Sequence, residues 1–214
     1  MLDSSVRPPR LILASSSPYR RALLERLRIP FDVAVPVLDE TPRADEAPAA
    51  TALRLAQAKA RAVAAREATA EGDPAPILVI GSDQVATFDG LQIGKPGSHE
   101  KALEQLRAMR GRVVEFHSAL CLFDHARDIA QTEDVVTRVR FRDLPDAELD
   151  AYLHLETPYD VAGSAKSEGL GIALLESIDS DDPTALVGLP LIALTRMLRA
   201  AGYPFFLSAS AGAQ

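Results

Sequence analysis

The sequence is short of cysteine and aromatic residues, which limits the kinds of protein it can form. It has one cysteine and no tryptophan among 214 residues, and aromatic residues make up 5%. A lone cysteine excludes a disulfide within the chain, and Cys121 lies in the apolar run "SALCLF", which is typical of a small buried side chain. No apolar run is long enough to span a bilayer. The first ten residues lack the hydrophobic segment of a signal peptide, so we expect a cytoplasmic protein.

The chain also lacks an excess of positive charge. Its 30 acidic and 23 basic residues give a formal net charge of −7 at pH 7. A protein that binds nucleic acid or an acidic membrane surface presents a basic face, so the charge balance argues against both partners. A few local positive groups are still enough to bind a small anion.

The periodicity of the apolar residues predicts an α/β protein with a mixed sheet. Two long alternating runs, "VVEFHSALCLF" and "DVVTRVRFR", predict antiparallel strands in the middle of the chain. The other predicted elements are strands over 10–14, 31–35, 77–88 and 91–94, and helices over 18–27, 49–70, 99–109, 145–156 and 190–200. No linker divides the chain. We expect a flexible arm over 1–9, one domain over 10–206 and a disordered tail over 207–214.

The stretch "LASSSPYRRALLERL" indicates an anion site at the start of a helix. Pro18 suits the first helical turn because it has no N–H to leave unpaired. Serine hydroxyls, free backbone N–H groups, Arg20 and Arg21 then lie close to the positive end of the helix dipole. Tyr19 raises the question of what an aromatic ring does beside a phosphate.

Four other charged residues are candidates for a site, although their patterns alone are weak. Asp83 ends a hydrophobic run, and Lys95 follows on the predicted return strand, so the two can face one site. Glu40 stands in a polar loop, where a solvated charge is typical. Lys59 stands beside the apolar stripe of an alanine-rich helix, a position that favours a surface lysine.

Several common catalytic and metal-binding patterns are missing. The histidines His99, His117, His125 and His154 show no paired zinc-ligand spacing. The sequence has no Gly-x-Ser-x-Gly motif, and Cys121 has no obvious catalytic partner. From its residues alone, the chain is predicted to be a cytoplasmic α/β protein with an anion site.

Six stretches, taken together, resemble the Maf family of nucleotide pyrophosphatases. They are "LILASSSPYRRALLERL", "DETP", "GSDQV", "GKP", "AGSAKSEGLG" and "DPTALVGLPL". They occur in the family's order and span about residues 10 to 192, nearly the whole chain. The resemblance implies an elongated mixed β-sheet flanked by helices, with two lobes around a central cleft, as in the Maf and inosine triphosphatase-like fold.

The resemblance also implies an activity and a set of site residues. The family hydrolyses a nucleoside triphosphate to the monophosphate and pyrophosphate with a divalent metal, Mg²⁺ or Mn²⁺, and forms homodimers. Asp83 matches the catalytic acidic residue, generally assigned as the proton acceptor. By expected role, the matched residues are Lys59 and Lys95 for catalysis, Ser15 and Arg20 for phosphate, and Glu40 with Asp83 for the metal. Mg²⁺ prefers few carboxylates together with phosphate oxygens and water, which suits this last pair.

Three positions depart from the pattern that most of the family shows. The chain has Tyr19 in place of an arginine, Gln84 in place of a threonine and Glu168 in place of a glutamine. The three changes occur together in a subgroup associated with 7-methyl-GTP, whereas the general type favours dTTP and UTP. We therefore expect these residues to set substrate specificity.

The chemistry of the substitutions agrees with that assignment. A carboxylate at Glu168 offers only acceptors, which suits the N1–H and N2–H₂ donors of guanine. Each such charge-assisted hydrogen bond is worth roughly 1.5–3 kcal/mol. The aromatic face of Tyr19 attracts the cationic ring of 7-methylguanine beyond ordinary stacking, which itself contributes about 1–3 kcal/mol. The prediction is hydrolysis of 7-methyl-GTP, which keeps modified nucleotides out of nucleic acids.

Two alternatives remain open on the sequence. One is a pyrophosphatase that acts on dTTP, UTP or a broader set of modified nucleotides. The other is a non-catalytic nucleotide-binding regulator of septum formation. The intact residues Asp83, Lys59 and Lys95 favour catalysis, because a nucleotide sensor does not need a metal and water site.

Overall fold

A computed structural model describes residues 9–68 and 76–206 of the chain. Residues 1–8 of the expected arm and the whole expected tail lie outside these residues. The described residues form one mixed sheet of seven strands flanked by five α-helices. In chain order the elements are β1 (Arg10–Ala14), α1 (Pro18–Glu25), β2 (Asp32–Val33), α2 (Pro48–Ala68), β3 (Ile77–Phe88), β4 (Leu91–Ile93), α3 (His99–Met109), β5 (Val113–Asp124), β6 (Ile129–Phe141), α4 (Asp146–Glu156), β7 (Leu175–Asp179) and α5 (Leu191–Ala200), with 3₁₀ turns at Ala162–Ser164, Leu170–Leu174 and Ala185–Val187.

The sheet changes from parallel to antiparallel pairing across its width. Its strand order is β2-β1-β3-β5-β6-β7, and β4 also pairs with β3. Strand β1 runs parallel to β2 and β3, whereas β3–β5, β5–β6 and β6–β7 are antiparallel pairs. This confirms the α/β class and the mixed sheet. No helix within the described ranges has the length and apolar character needed to cross a membrane.

Three apolar clusters hold the helices against the sheet. The first joins α1 and α5 to one face of β1, β3 and β5, and the second lies under α2 on the opposite face. The third joins α3 and α4 to the far part of the sheet. Cys121 is fully buried in the second cluster, where burial raises the pKa of its thiol to about 12. The prediction that it is a buried core side chain is confirmed.

Helix α2 packs closely on β3 because Gly81 has no side chain. A Cβ atom at Gly81 would lie 2.1 Å from the carbonyl oxygen of Ala56 and 2.9 Å from the backbone nitrogen of Ala60. Both alanines are fully buried at this contact. The close approach also brings Lys59, which precedes Ala60 on α2, against the strand that carries Asp83.

Strand β3 has a gap in the pairing along one edge. On that edge β1 pairs with residues 77–81 and β4 pairs with residues 86–88, while β5 occupies the other edge over residues 78–87. Among the described residues, no strand covers residues 82–85 on the β1 side. The sheet therefore opens at the segment that contains Asp83 and Gln84.

Most element predictions are confirmed, but strand β7 was not predicted, and two other strands differ in length. Strand β2 is only two residues long, instead of extending over 31–35, because it is an edge strand whose register with β1 covers two positions. Strand β6 begins at Ile129, earlier than the run at 134–142 suggested. Most of its first residues are polar or exposed, and among the described residues no strand pairs with that part of β6 on the edge away from β5.

Candidate active site

A cavity of about 550 Å³ opens where β3 lacks a partner on its edge. This volume lies within the usual range of small-molecule sites, about 300–1,000 Å³. Its walls include residues of α1 and α2, which pack on opposite faces of the sheet, and of strand β3 between them. The lining segments are the β1–α1 junction at 15–20, the loop at 35–42, one face of α2, residues 83–85, and the segments at 92–95, 160–162 and 187–188.

The β1–α1 junction presents a helix N-terminus to the cavity, as the sequence predicts. Ser17 caps α1 by accepting a hydrogen bond from the backbone N–H of Arg20 at 3.4 Å. The hydroxyl of Ser15, which is buried, accepts from the Ser17 N–H at 3.1 Å. Pro18 occupies the first turn, and that turn holds no acidic residue. The positive end of the α1 dipole is therefore not neutralised by its own side chains.

Arg20 lines the cavity and also holds its two sides together. Its Nε donates to the carbonyl oxygen of Gly188 at 2.9 Å, and one terminal nitrogen donates to that of Ser82 at 2.8 Å. The second bond satisfies a carbonyl at the gap in β3. Burial lowers the pKa of Arg20, against the raising effect of Asp83 and Glu40. The expectation that Arg20 binds phosphate stays a prediction, and the structure adds that two of its nitrogens bind the protein.

Lys59 joins the two carboxylates of the site. Its Nζ lies 2.6 Å from Asp83 Oδ1 and 2.9 Å from Glu40 Oε2. Lys59 is only 5% exposed, so the surface position that its helical spacing favours is wrong. The reason is the close packing of α2 at Gly81, which carries this side of the helix onto β3.

Asp83 is a buried carboxylate with cations around it. It is 8% exposed and leaves the face of β3 that packs on α2. Burial raises the pKa of the Asp83 carboxyl above its ordinary value, although Lys59 and Arg20 act in the opposite direction. Such a group accepts a proton more readily than a surface aspartate does.

The other predicted lysine, Lys95, reaches the cavity from the segment between β4 and α3. Lys95 follows β4 and lines the cavity with an exposed side chain. Within the part of the chain that the structure describes, its ammonium makes no ion pair or hydrogen bond. The structure therefore brings Lys95 to the same cavity as Asp83, as their predicted strands suggested.

The two carboxylates fit a divalent cation. Glu40 and Asp83 both contact the Lys59 ammonium, so their oxygens already converge on one positive charge. Glu40 is half exposed and can turn toward the cavity that both residues line. Carboxylate oxygens with open positions for water and phosphate are the ligand set that Mg²⁺ and Mn²⁺ prefer.

Tyr19 lies at the rim of the cavity, against a residue that the sequence analysis did not single out. Its hydroxyl interacts with the ammonium of Lys166, which also lies 3.4 Å from Asp160 Oδ1. Burial alone would lower the pKa of Lys166, but Tyr19 and Asp160 together raise it. Tyr19 belongs to α1 and Lys166 to the loop after the 162–164 turn, so the contact spans the cleft. The only sequence signal for Lys166 was its place in "AGSAKSEGLG".

Of the other two expected specificity residues, Gln84 lines the cavity and Glu168 does not. Gln84 lines the cavity but leaves the opposite face of β3 from Asp83. Its Nε2 donates to Ser118 Oγ and to the Leu186 carbonyl oxygen, both at 2.9 Å, which anchors the 185–187 turn. Glu168 is exposed, lies outside the cavity lining, and contacts the hydroxyl of Ser167 at 3.5 Å. Their roles in specificity stay predictions.

Cations around a buried carboxylate at the open edge of an α/β sheet are typical of enzymes that act on phosphorylated small molecules. The chain is a member of the Maf-like protein family, whose model matches residues 10–201. Its relatives include a 7-methyl-GTP pyrophosphatase of Burkholderia orbicola, 77% identical over 96% of both chains. The 7-methyl-GTP pyrophosphatase of Paraburkholderia xenovorans is 75% identical over 95% of this chain and 98% of its own. That of Cupriavidus pinatubonensis is 69% identical over 92% and 96%, respectively.

Proposed function

We propose that this protein hydrolyses 7-methyl-GTP to 7-methyl-GMP and pyrophosphate. The observation that carries the proposal is the Lys59–Asp83 pair, which places a buried carboxylate of raised pKa in a cavity lined by further cations. The names of relatives that are 69–77% identical support the choice of substrate. A nucleoside triphosphate belongs to the cytoplasmic nucleotide pool, so the proposed activity is cytoplasmic.

In this proposal Asp83 accepts a proton from the water that attacks the α-phosphorus. A general base works best when its pKa is close to the working pH, and burial moves Asp83 in that direction. Lys59 fixes the carboxylate at 2.6 Å and so orients it toward the cavity. The bond between the α-phosphorus and the oxygen that bridges it to the β-phosphorus breaks. Pyrophosphate then leaves and takes the bridging oxygen with it.

The charge on the phosphates is balanced by groups on both sides of the cleft. The N-terminus of α1 and Ser15 lie on one side, and Lys95 lies on the other. Cations that contact the phosphate oxygens stabilise the charge that develops as the bond breaks. Glu40 and Asp83 would hold the divalent metal, Mg²⁺ or Mn²⁺, which supplies further positive charge to the phosphates.

The base end of the proposed site is the rim at Tyr19. Tyr19 lines the cavity, and its hydroxyl interacts with Lys166. A fixed aromatic face suits the cationic 7-methylguanine ring. For Glu168 to reach the guanine edge, its loop has to turn toward the cavity, since the carboxylate lies outside it here. A homodimer, expected from the family, remains part of the proposal.

The proposed function is tested by measuring pyrophosphate release with Mg²⁺ from 7-methyl-GTP, GTP, dTTP and UTP side by side. We expect the highest kcat/KM with 7-methyl-GTP, and a loss of about 10²–10⁴-fold on all four in Asp83→Asn. In Glu168→Gln we expect the preference for 7-methyl-GTP to fall while turnover of the other nucleotides persists.

Each alternative predicts a different result in the same experiment. Better turnover of dTTP or UTP would retain the pyrophosphatase and reject the assigned substrate. Nucleotide binding without pyrophosphate release, with either Mg²⁺ or Mn²⁺, would favour the non-catalytic regulator.

A further inference from the structure

Two histidines and an aspartate from separate parts of the chain meet where α3 begins and α4 ends. One potential ligand atom from each of His99, Asp150 and His154 lies within 4.8 Å of the other two. His99 Nε2 is 2.8 Å from Asp150 Oδ1, and His154 Nδ1 is 3.5 Å from Asp150 Oδ2. The two imidazole ring centroids are 4.5 Å apart. None of these residues lines the cavity described above.

The orientation of His99 is fixed by a chain of hydrogen bonds. Its Nδ1 lies 3.1 Å from the hydroxyl of Tyr159, and that hydroxyl donates to the carbonyl oxygen of Leu153 at 3.3 Å. The Tyr159 hydroxyl thus holds Nδ1 on one side of the ring, and on the other side Nε2 donates to the Asp150 carboxylate, which can only accept. The ring therefore presents Nε2 toward Asp150. Metal-binding histidines usually have their other ring nitrogen held in this way.

The second pair of residues has a spacing that suits a metal. Asp150 and His154 are four residues apart on α4, which places them on one face of the helix. Their side chains are 46% and 67% exposed, so an ion can reach them from solvent. His99 supplies the third group from the first turn of α3.

We propose that His99, Asp150 and His154 form a transition-metal site that suits Zn²⁺ and is separate from the carboxylates of the cavity. Two imidazole nitrogens and one carboxylate oxygen are a common ligand set for zinc, with water in the fourth position. Mg²⁺ prefers oxygen ligands and is not expected to compete here.

The site is linked to the wall of the cavity through the segments that flank α3 and α4. The Gly97 N–H donates to the carbonyl oxygen of Tyr159 at 3.1 Å, which joins the segments before α3 and after α4. These same segments carry Lys95 and Asp160, which line the cavity. An ion bound to His99 and His154 braces both segments and so stabilises the cavity wall.

The proposal is tested by titrating tag-free protein with ZnCl₂ in a calorimeter. We expect one Zn²⁺ per chain, and a loss of affinity of at least about tenfold in His99→Ala and in His154→Ala. His125→Ala is the matched control, because His125 is exposed in the β5–β6 turn and remote in sequence from the cluster. It should bind Zn²⁺ as the unmodified chain does.

Two further measurements separate the site from a general effect on folding. Zn²⁺ should raise the melting temperature of the unmodified protein and of His125→Ala, and leave that of His154→Ala unchanged. Co²⁺ bound at the site should give a visible absorption band that His154→Ala lacks. If the unmodified chain binds no Zn²⁺, or if His154→Ala binds it equally well, the proposal is wrong.

Discussion

At the scale of single residues, burial is what separates Asp83 and Lys59 from ordinary charged side chains. Both are less than a tenth exposed, and their charged atoms are 2.6 Å apart. A buried ion pair contributes little net stability, because the loss of solvation offsets much of the attraction. The pair is therefore better explained by the chemistry of the cavity than by the stability of the fold.

The raised pKa of Asp83 predicts a pH dependence of stability. Between the ordinary aspartate value of 3.8 and the higher folded-state value, the folded protein binds more protons at this position than the unfolded chain. The free energy of unfolding should therefore fall, relative to that of Asp83→Asn, as the pH rises from about 4 toward neutral. The slope cannot exceed about 1.4 kcal/mol per pH unit for one proton.

Urea unfolding of the metal-free chain and of Asp83→Asn over this pH range measures that difference. Above the folded-state pKa the difference should become constant. A difference that instead favours the unmodified chain as the pH rises would mean that Lys59 and Arg20 outweigh burial and lower the pKa of Asp83.

Tyr19 offers a test of how the base is held. Removal of the ring in Tyr19→Ala should raise KM for 7-methyl-GTP by about 5- to 100-fold with a smaller effect on kcat, because stacking contributes equally to the ground and transition states. Tyr19→Phe keeps the ring and removes only the contact with Lys166, so its KM should change little. Steady-state kinetics with 7-methyl-GTP measure KM and kcat for both variants. An equal loss in Tyr19→Phe would assign the role to the hydroxyl instead of the ring.

Single residues also show what local sequence patterns cannot predict, namely contacts between different helices and strands. The helical spacing of Lys59 describes one helix and contains no information on how closely α2 approaches β3. In the same way, His99 and His154 are too far apart in sequence for a ligand motif, and only the packing of α3 on α4 brings them together. Their pairing could not be predicted, because it depends on contacts between elements.

At the scale of elements, the close packing of α2 on β3 sets the position of the site. Gly81→Ala would place a Cβ atom 2.1 Å from the carbonyl oxygen of Ala56, a backbone atom that cannot rotate away. We expect a loss of about 3 kcal/mol or more in the free energy of unfolding, since α2 must shift. Gly94→Ala is the matched control, because no atom lies within 4 Å of its added Cβ and its backbone needs no positive φ.

Urea denaturation of the two glycine variants measures the difference. Gly94→Ala should remain within about 0.5 kcal/mol of the unmodified chain. If Gly81→Ala is equally stable, the contact between α2 and β3 is looser than the distances indicate.

Elements were easier to predict than their ends. The hydrophobic run of β3, the alternating run of β5 and the apolar stripe of α2 are strong local signals, and all three elements are confirmed. The two-residue β2 and the early start of β6 were missed, because the length of a strand depends on its register with the neighbouring strand. The order of the strands in the sheet was not predicted, because it depends on contacts between elements that are distant in sequence.

At the scale of the whole molecule, the cavity exists because the sheet is incomplete. On one edge of β3, residues 82–85 lie unpaired between the segments that pair with β1 and β4, and helices on both faces of the sheet surround the opening. Arg20 closes part of it by donating to Ser82 on the strand and to Gly188 on the far side. Asp83 and Gln84 thus lie on a strand that β5 holds in place, while Lys59 and Arg20 reach the opening from α2 and α1.

The placement of Asp83 and Gln84 on opposite faces of one strand has an evolutionary consequence. A substitution at position 84 changes the contacts with the 185–187 turn, whereas the carboxylate beside Lys59 keeps its place on the other face. Neighbouring codons can therefore mutate with independent effects. With the role in specificity that the sequence predicts for position 84, descendants of one ancestral gene would acquire new substrates there without passing through an inactive intermediate.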